Sequence, residues 1–150
     1  MARKWQVLPA SLVLMAALAV VSAALAASQV KSGSYKGSLM PSNDGVLVSF
    51  KVSASGKQVT ALTIANTPLY CSGGGRPTPV HFKNASISSK GAFSSTGKYV
   101  IREGPMKGKV GTTLKITGQF LKGRKERGTL TTKYTGAPKC GGQSPYSTKA

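Results

Sequence analysis

The sequence predicts an all-β fold, a single antiparallel β-sandwich behind an N-terminal signal-peptide helix, with a small closed β-barrel as the alternative. Three observations predict it. Short stretches alternate apolar and polar residues, the period of a half-buried strand. Gly and Ser punctuate the chain about every ten residues, as turns between short strands do. Beyond the N-terminal apolar run, no stretch shows the 3.6-residue periodicity and caps of a helix.

The N-terminus reads MARKWQVLPASLVLMAALAVVSAALAAS. Arg3 and Lys4 form a positive n-region, Leu12 to Ala24 is nearly unbroken apolar sequence, and Ala24-Leu25-Ala26 presents small residues where a signal peptidase reads. That is the pattern of a secretory signal peptide, residues 1–26, cut after Ala26. The alternative is an uncleaved anchor, since Val7 to Ala27 is just long enough to span a bilayer. Residues 27–34 form a small, polar lead, and residues 35–150 form one domain of ordinary size.

Gly45 to Ser53 is the clearest strand, with Val46, Val48, Phe50 and Val52 on one face and Ser49, Lys51 and Ser53 on the other. Ala54-Ser55-Gly56-Lys57 turns the chain, and Gln58 to Asn66 continues as a second strand with Val59, Leu62 and Ile64 as its apolar residues. The two form a hairpin. Cys71 to Pro79 holds three glycines and two prolines and is expected to be a loop. Val80 and Phe82 then alternate with His81 and Lys83. Ile87, Phe93 and the pair Tyr99 and Ile101 mark further short strands, and Pro105 breaks the chain. A second hairpin follows. Leu114, Ile116, Gly118 and Phe120 alternate with Lys115, Thr117 and Gln119, and Leu130, Thr132 and Tyr134 alternate with Thr129, Thr131 and Lys133. Its expected loop is Lys122 to Gly128, whose charges discourage edge-to-edge strand pairing. The tail from Cys140 to Ala150 ends in a short polar strand.

Composition narrows the function. Removing Arg3 and Lys4 leaves 19 basic residues against Asp44, Glu103 and Glu126, a charge of +16. Such a balance favours anionic partners or serves solubility. Two cysteines in an exported chain, Cys71 and Cys140, are expected to form one disulfide. A glycosidase needs two carboxylates flanking one bond, which leaves only Glu103 and Glu126, both in loop-like sequence. A Ser-His-Asp set would have to use His81 and Asp44, but Asp44 sits in a turn and His81 faces solvent on a strand. One histidine and three scattered acids form no metal cluster, so no metal or other cofactor is expected. Gly73-Gly74-Gly75-Arg76 lacks the strand, the Gly-Lys-Ser/Thr ending and the helix of a phosphate loop. Nucleic-acid binding wants exposed aromatic residues among the cations. No Trp follows the signal peptide, and only Tyr70 and Tyr146 are candidates for exposure.

Several short stretches carry a resemblance. They are Gly33-Ser34-Tyr35-Lys36-Gly37, Val48-Ser49-Phe50-Lys51-Val52, Gly56-Lys57-Gln58-Val59, Cys71, Gly118-Gln119-Phe120, Gly128-Thr129-Leu130, and Cys140 before Thr148-Lys149. Together they resemble a group of small exported bacterial proteins, mostly of high-GC Gram-positive and related soil bacteria. The chain departs at Cys140-Gly141-Gly142, where a Cys-Asp-Thr-Gly-like turn is expected, and at Tyr146, where Trp is usual. The resemblance implies a signal peptide, one β-sandwich-like domain and an extracytoplasmic place, and no activity.

The expectation is a secreted or envelope-associated, non-enzymatic protein that meets anionic wall polymer or a membrane surface through a basic face. Lys107, Lys109, Lys122, Arg124, Lys125 and Arg127 cluster in sequence around the C-terminal hairpin and are the expected anion-binding residues. The rival is a carbohydrate-binding module recognising a glycan, a hydrolase, or an inhibitor presenting Ser72 to Pro79.

Overall fold

The computed structural model describes residues 30–40, 45–67, 78–135 and 141–150. The expected signal peptide, Asp44, Tyr70, Cys71 and Cys140 lie outside the described residues.

Among the described residues, nine strands follow in chain order. They are β1 (Gly33–Leu39), β2 (Leu47–Val52), β3 (Gln58–Thr67), β4 (Thr78–His81), β5 (Ala85–Ser86), β6 (Ala92–Val100), β7 (Val110–Leu121), β8 (Lys125–Tyr134) and β9 (Gly142–Lys149). All named pairs are antiparallel, in the order β4-β3-β2-β1-β9-β8-β7-β6, with β5 also on β3. The two outer strands of this series nearly meet. Phe82 bridges Gly97, the Lys83 N–H donates to the Thr96 carbonyl at 3.4 Å, and Ser95 Oγ donates to the Lys83 carbonyl at 2.5 Å. The sheet therefore curls almost to closure, an arrangement consistent with the sandwich and with the barrel expected from sequence. β1 begins at Gly33, so the last two residues of the expected lead are already strand.

Alternation decides which face is buried. Val46, Val48, Phe50 and Val52 are all buried and Leu47 and Lys51 exposed, as the pattern demands. In β3 the apolar phase changes between Val59 and Leu62, yet both are buried. Ser49 pairs with Thr63 and Lys51 with Thr60, so Ala61 and Leu62 together oppose Phe50. This is a β-bulge, with Ala61 in the left-handed region at φ 50°. The extra residue resets the phase and returns Leu62 and Ile64 to the interior. At the core, Tyr35 stacks on Phe50 at 5.1 Å between ring centroids, and Phe120 meets both edge-on at 5.4 and 6.0 Å. Phe93 completes the cluster, 5.6 Å from Phe50 and from Phe120.

Three sequence-based boundaries change. Phe93 and Tyr99 belong to one nine-residue strand, β6, because Ser94, Thr96 and Lys98 keep the outward phase unbroken. Thr78 and Pro79 lie in β4 rather than in the loop before it. Proline is tolerated there because an outer strand need not spend every N–H on a ladder. The third change concerns the second hairpin. Pairing of β7 with β8 runs on to Leu121↔Lys125, so the turn is only Lys122-Gly123-Arg124. Lys125, Glu126 and Arg127 are strand residues.

The antiparallel order gives the sheet two ends. One, here the near end, carries the β7–β8 turn, the β2–β3 turn, the start of β1 and the close of β9. The far end carries the β6–β7 turn, the close of β3 and the start of β9.

Candidate functional site

The expected anion-binding residues are not one cluster. Lys107 and Lys109 sit in the β6–β7 turn at the far end, and Lys122 and Arg124 form the β7–β8 turn at the near end. The 12 residues of β7 lie between the two groups, on the order of 40 Å along the strand. Lys125 and Arg127 point outward from β8, and all six residues are exposed. The near end gathers further exposed cations that sequence distance hides, including Lys31, Lys57 and Lys90. The far end differs. Among the described residues, four of the five exposed large apolar ones, Met40, Leu47, Val100 and Met106, stand there.

No acid among the described residues forms an ion pair with this surface. Among the described residues Glu103 is the one exposed acid, in the β6–β7 turn. Glu126 is fully buried, a correction to its expected loop position. It faces the interior in phase with Leu130, and two flanking glycines make the room. A Cβ on Gly118 would strike Glu126 Oε1 and the Phe93 ring, and one on Gly128 would strike the Tyr146 ring and the Thr117 carbonyl. Gly118 and Gly128 stand directly opposite each other. Tyr146 Oη lies 2.7 Å from Glu126 Oε1 and 3.2 Å from the Thr117 carbonyl, and Thr148 Oγ1 donates to Glu126 Oε2 at 2.7 Å. Burial without a cation raises the carboxyl to about 7, against the opposing pull of the two hydroxyl bonds. Burial and the adjacent carboxyl push the Tyr146 hydroxyl far above its ordinary range. Tyr146 is 0% exposed, which corrects the expectation of an exposed aromatic residue. Extending the even-numbered phase of Leu130, Thr132 and Tyr134 back two steps would have placed Glu126 inside.

The structure does not bring the two carboxylates together, for Glu103 is at the far end and Glu126 is inside the wall at the near end. His81 is exposed on β4 as expected, its Nδ1 3.2 Å from Thr63 Oγ1. Among the described residues no cluster of three His, Cys, Asp or Glu could hold a metal, and no helix is long and apolar enough to cross a membrane. A shallow depression of about 460 Å³ opens at the near end between Ser55-Gly56-Lys57-Gln58 and Ser86-Ile87-Ser88-Ser89. Two of its hydroxyls are already engaged, Ser55 Oγ with Ser53 Oγ at 3.1 Å and Ser88 Oγ with the Ala92 N–H at 3.0 Å. It offers no aromatic platform for a sugar.

No family model, curated protein or solved structure matches the chain. Its own surface is therefore the guide to function. That surface consists of a sheet wall rich in Lys, Ser and Thr, a near end crowded with cations, and a far end with apolar tips.

Proposed function

We propose that the protein is an exported, non-enzymatic β-sandwich-like protein that works by surface interaction, holding to anionic polymers of the cell envelope or to its anionic surface. The carrying observation is the unneutralised wall, where exposed cations form no ion pair and Glu103 is the one exposed acid among the described residues. Lys122, Arg124, Lys125 and Arg127 at the near end are the first contributors on this reading. Lys107 and Lys109 form a separate, smaller group. The proposal includes export, cleavage after Ala26, membership of the exported group that the sequence resembles, and a Cys71–Cys140 disulfide. For the bond, the support is that β3 ends and β9 begins at the same end.

The test is a salt series of binding by the purified protein to cell wall, anionic liposomes, duplex DNA and neutral polysaccharide. Wall or liposome binding is expected, weakening steeply as salt rises, because ion pairing to a polyanion releases counterions. Binding to a single glycan that persists at high salt overturns the reading in favour of a specific sugar site. Binding to none of the targets overturns it outright.

A further inference from the structure

The outer wall where β1, β9 and β8 meet carries a line of like charges. Lys149 stands directly opposite Lys36 on β1 and directly opposite Lys125 on β8. All three are exposed, and none forms a hydrogen bond or ion pair through its side chain. Directly opposed residues hold their Cβ atoms about 5 Å apart. Three ammonium groups thus share a row roughly 10 Å long that crosses the strands. Arg127 follows two residues along the same face of β8.

Elsewhere the sheet disperses its lysines. Lys51 stands between Ser34 and Thr60, Lys115 between Thr96 and Thr131, and Thr113 between Lys98 and Lys133. Like charges directly opposite destabilise a sheet. A row that breaks the spacing kept on the rest of the wall is therefore a cost to the fold, and a bound anion would offset it.

We propose that the Lys36–Lys149–Lys125 row is the docking line for a linear polyanion with closely spaced phosphate groups, of polyphosphate or phosphodiester type. The proposal rests on the reading of the protein as a binder of anionic polymers, and names the line and the ligand class. A single small anion cannot bridge the row. A flat bilayer touches a convex wall along a tangent, whereas a flexible chain follows the curve across the strands and meets each ammonium in turn. The lysine stems adjust to the spacing of the phosphates, acting as mobile point charges.

Two triple variants of equal charge separate the possibilities. One is Lys36→Gln, Lys125→Gln and Lys149→Gln. The other, at the far-end turn, is Arg102→Gln, Lys107→Gln and Lys109→Gln. Binding of long-chain inorganic polyphosphate is measured across a salt series, with orthophosphate as competitor and phosphatidylglycerol vesicles as a second target. The row variant is expected to lose about tenfold or more in affinity, and its log–log salt slope to become shallower by about two to three. It should melt at the same temperature as the parent or higher, because removing opposed charges relieves the sheet. The far-end variant should lose about threefold or less, and orthophosphate at matched phosphate concentration should not compete. Equal losses in both variants overturn the row and leave a diffuse charge effect, with the broader reading intact. Vesicle binding that needs the row, without polyphosphate binding, overturns the polymer in favour of a membrane surface. A parent protein that binds neither polyphosphate, vesicles nor cell wall removes the row and the envelope reading together.

Discussion

Glu126 has two hydroxyl neighbours and, among the described residues, no cation beside it, so burial favours its protonated form. Tyr146 has one hydrogen for two acceptors, the carboxyl and the Thr117 carbonyl. A neutral carboxyl donates to Tyr146 Oη, which frees the phenol to donate to Thr117. The ionised form takes the phenol hydrogen, and its charge is then held in the interior. Stability then depends on pH with a definite sign. The carboxyl titrates at its ordinary 4.5 in the unfolded chain and at about 7 in the fold. Below 4.5 both states hold the proton. Between 4.5 and 7 the unfolded chain alone has lost it, so rising pH favours unfolding, by about 3 kcal/mol once the window is crossed. Chemical denaturation of Glu126→Gln should show this as a difference from the parent, near zero at pH 4 and favouring the variant by up to ~3 kcal/mol at pH 8. A parallel pair of curves would refute it. Thr112 makes the converse case. Its Oγ1 is buried without a hydrogen-bond partner, so Thr112→Val should raise stability by about 1 kcal/mol. Strand phase points both residues inward, but their polar chemistry argues against it. A charged residue beside Arg127 in a basic stretch looks wet, and Thr112 is as natural on the outer wall as on the inner.

Elements were legible where alternation ran unbroken and misjudged where a single residue altered the geometry. Both hairpins and the buried faces of β2 and β7 follow from period-two patterning alone. The bulge in β3 is visible only as a change of phase between Val59 and Leu62, because a bulge leaves no residue signature of its own when alanine occupies it. Ala61 at φ 50° is strained for a residue with a Cβ. Ala61→Gly should therefore be neutral or stabilising by up to ~1 kcal/mol in denaturant, against the usual loss for glycine in a strand. A loss beyond 1 kcal/mol would mean that the methyl group packs. The Gly118–Gly128 pair makes the opposite prediction. Gly128→Ala pushes a methyl into the Tyr146 ring and the Thr117 carbonyl and should cost about 2–4 kcal/mol. The β7–β8 turn is shorter than its charge pattern suggests, because Gly123 at φ 76° and Arg124 at φ 60° reverse the chain within three residues. Solvated charges can sit on the outward side of strand ends as readily as in a loop.

Closure and strand order are the properties of the whole molecule, and no local pattern carries them. The sequence could say that sheets of this texture wrap or stack, but not that β9 inserts between β1 and β8. The wall is unevenly fastened. β7 and β8 share ten paired positions, whereas the residues just past β4 meet β6 at one bridge and a few flanking bonds. Hydrogen exchange should accordingly find the Lys83 amide, which donates to Thr96 across the seam, opening well before those of Leu114 and Leu130. Equal protection across the seam would mean that the curl is closed more firmly than its bonds suggest. The row of opposed lysines is likewise invisible in the chain, since Lys36 and Lys149 lie far apart in sequence and become neighbours only through the β1–β9 pairing. That pairing has a mechanical consequence. β1 begins and β9 ends on the same side of the sheet, so tension applied through the two termini pulls adjacent strands apart from one end, like a zip. The first rung to feel the load is Lys36–Lys149, whose charges already push in the direction of the pull. The ladder breaks one bond at a time instead of shearing as a block. Stretched between its ends the molecule should yield at low force, while pulled from Gly104 in the far-end turn and the start of β1, which loads the strands along their length, it should hold longer. A protein tethered at one terminus alone never loads that zip.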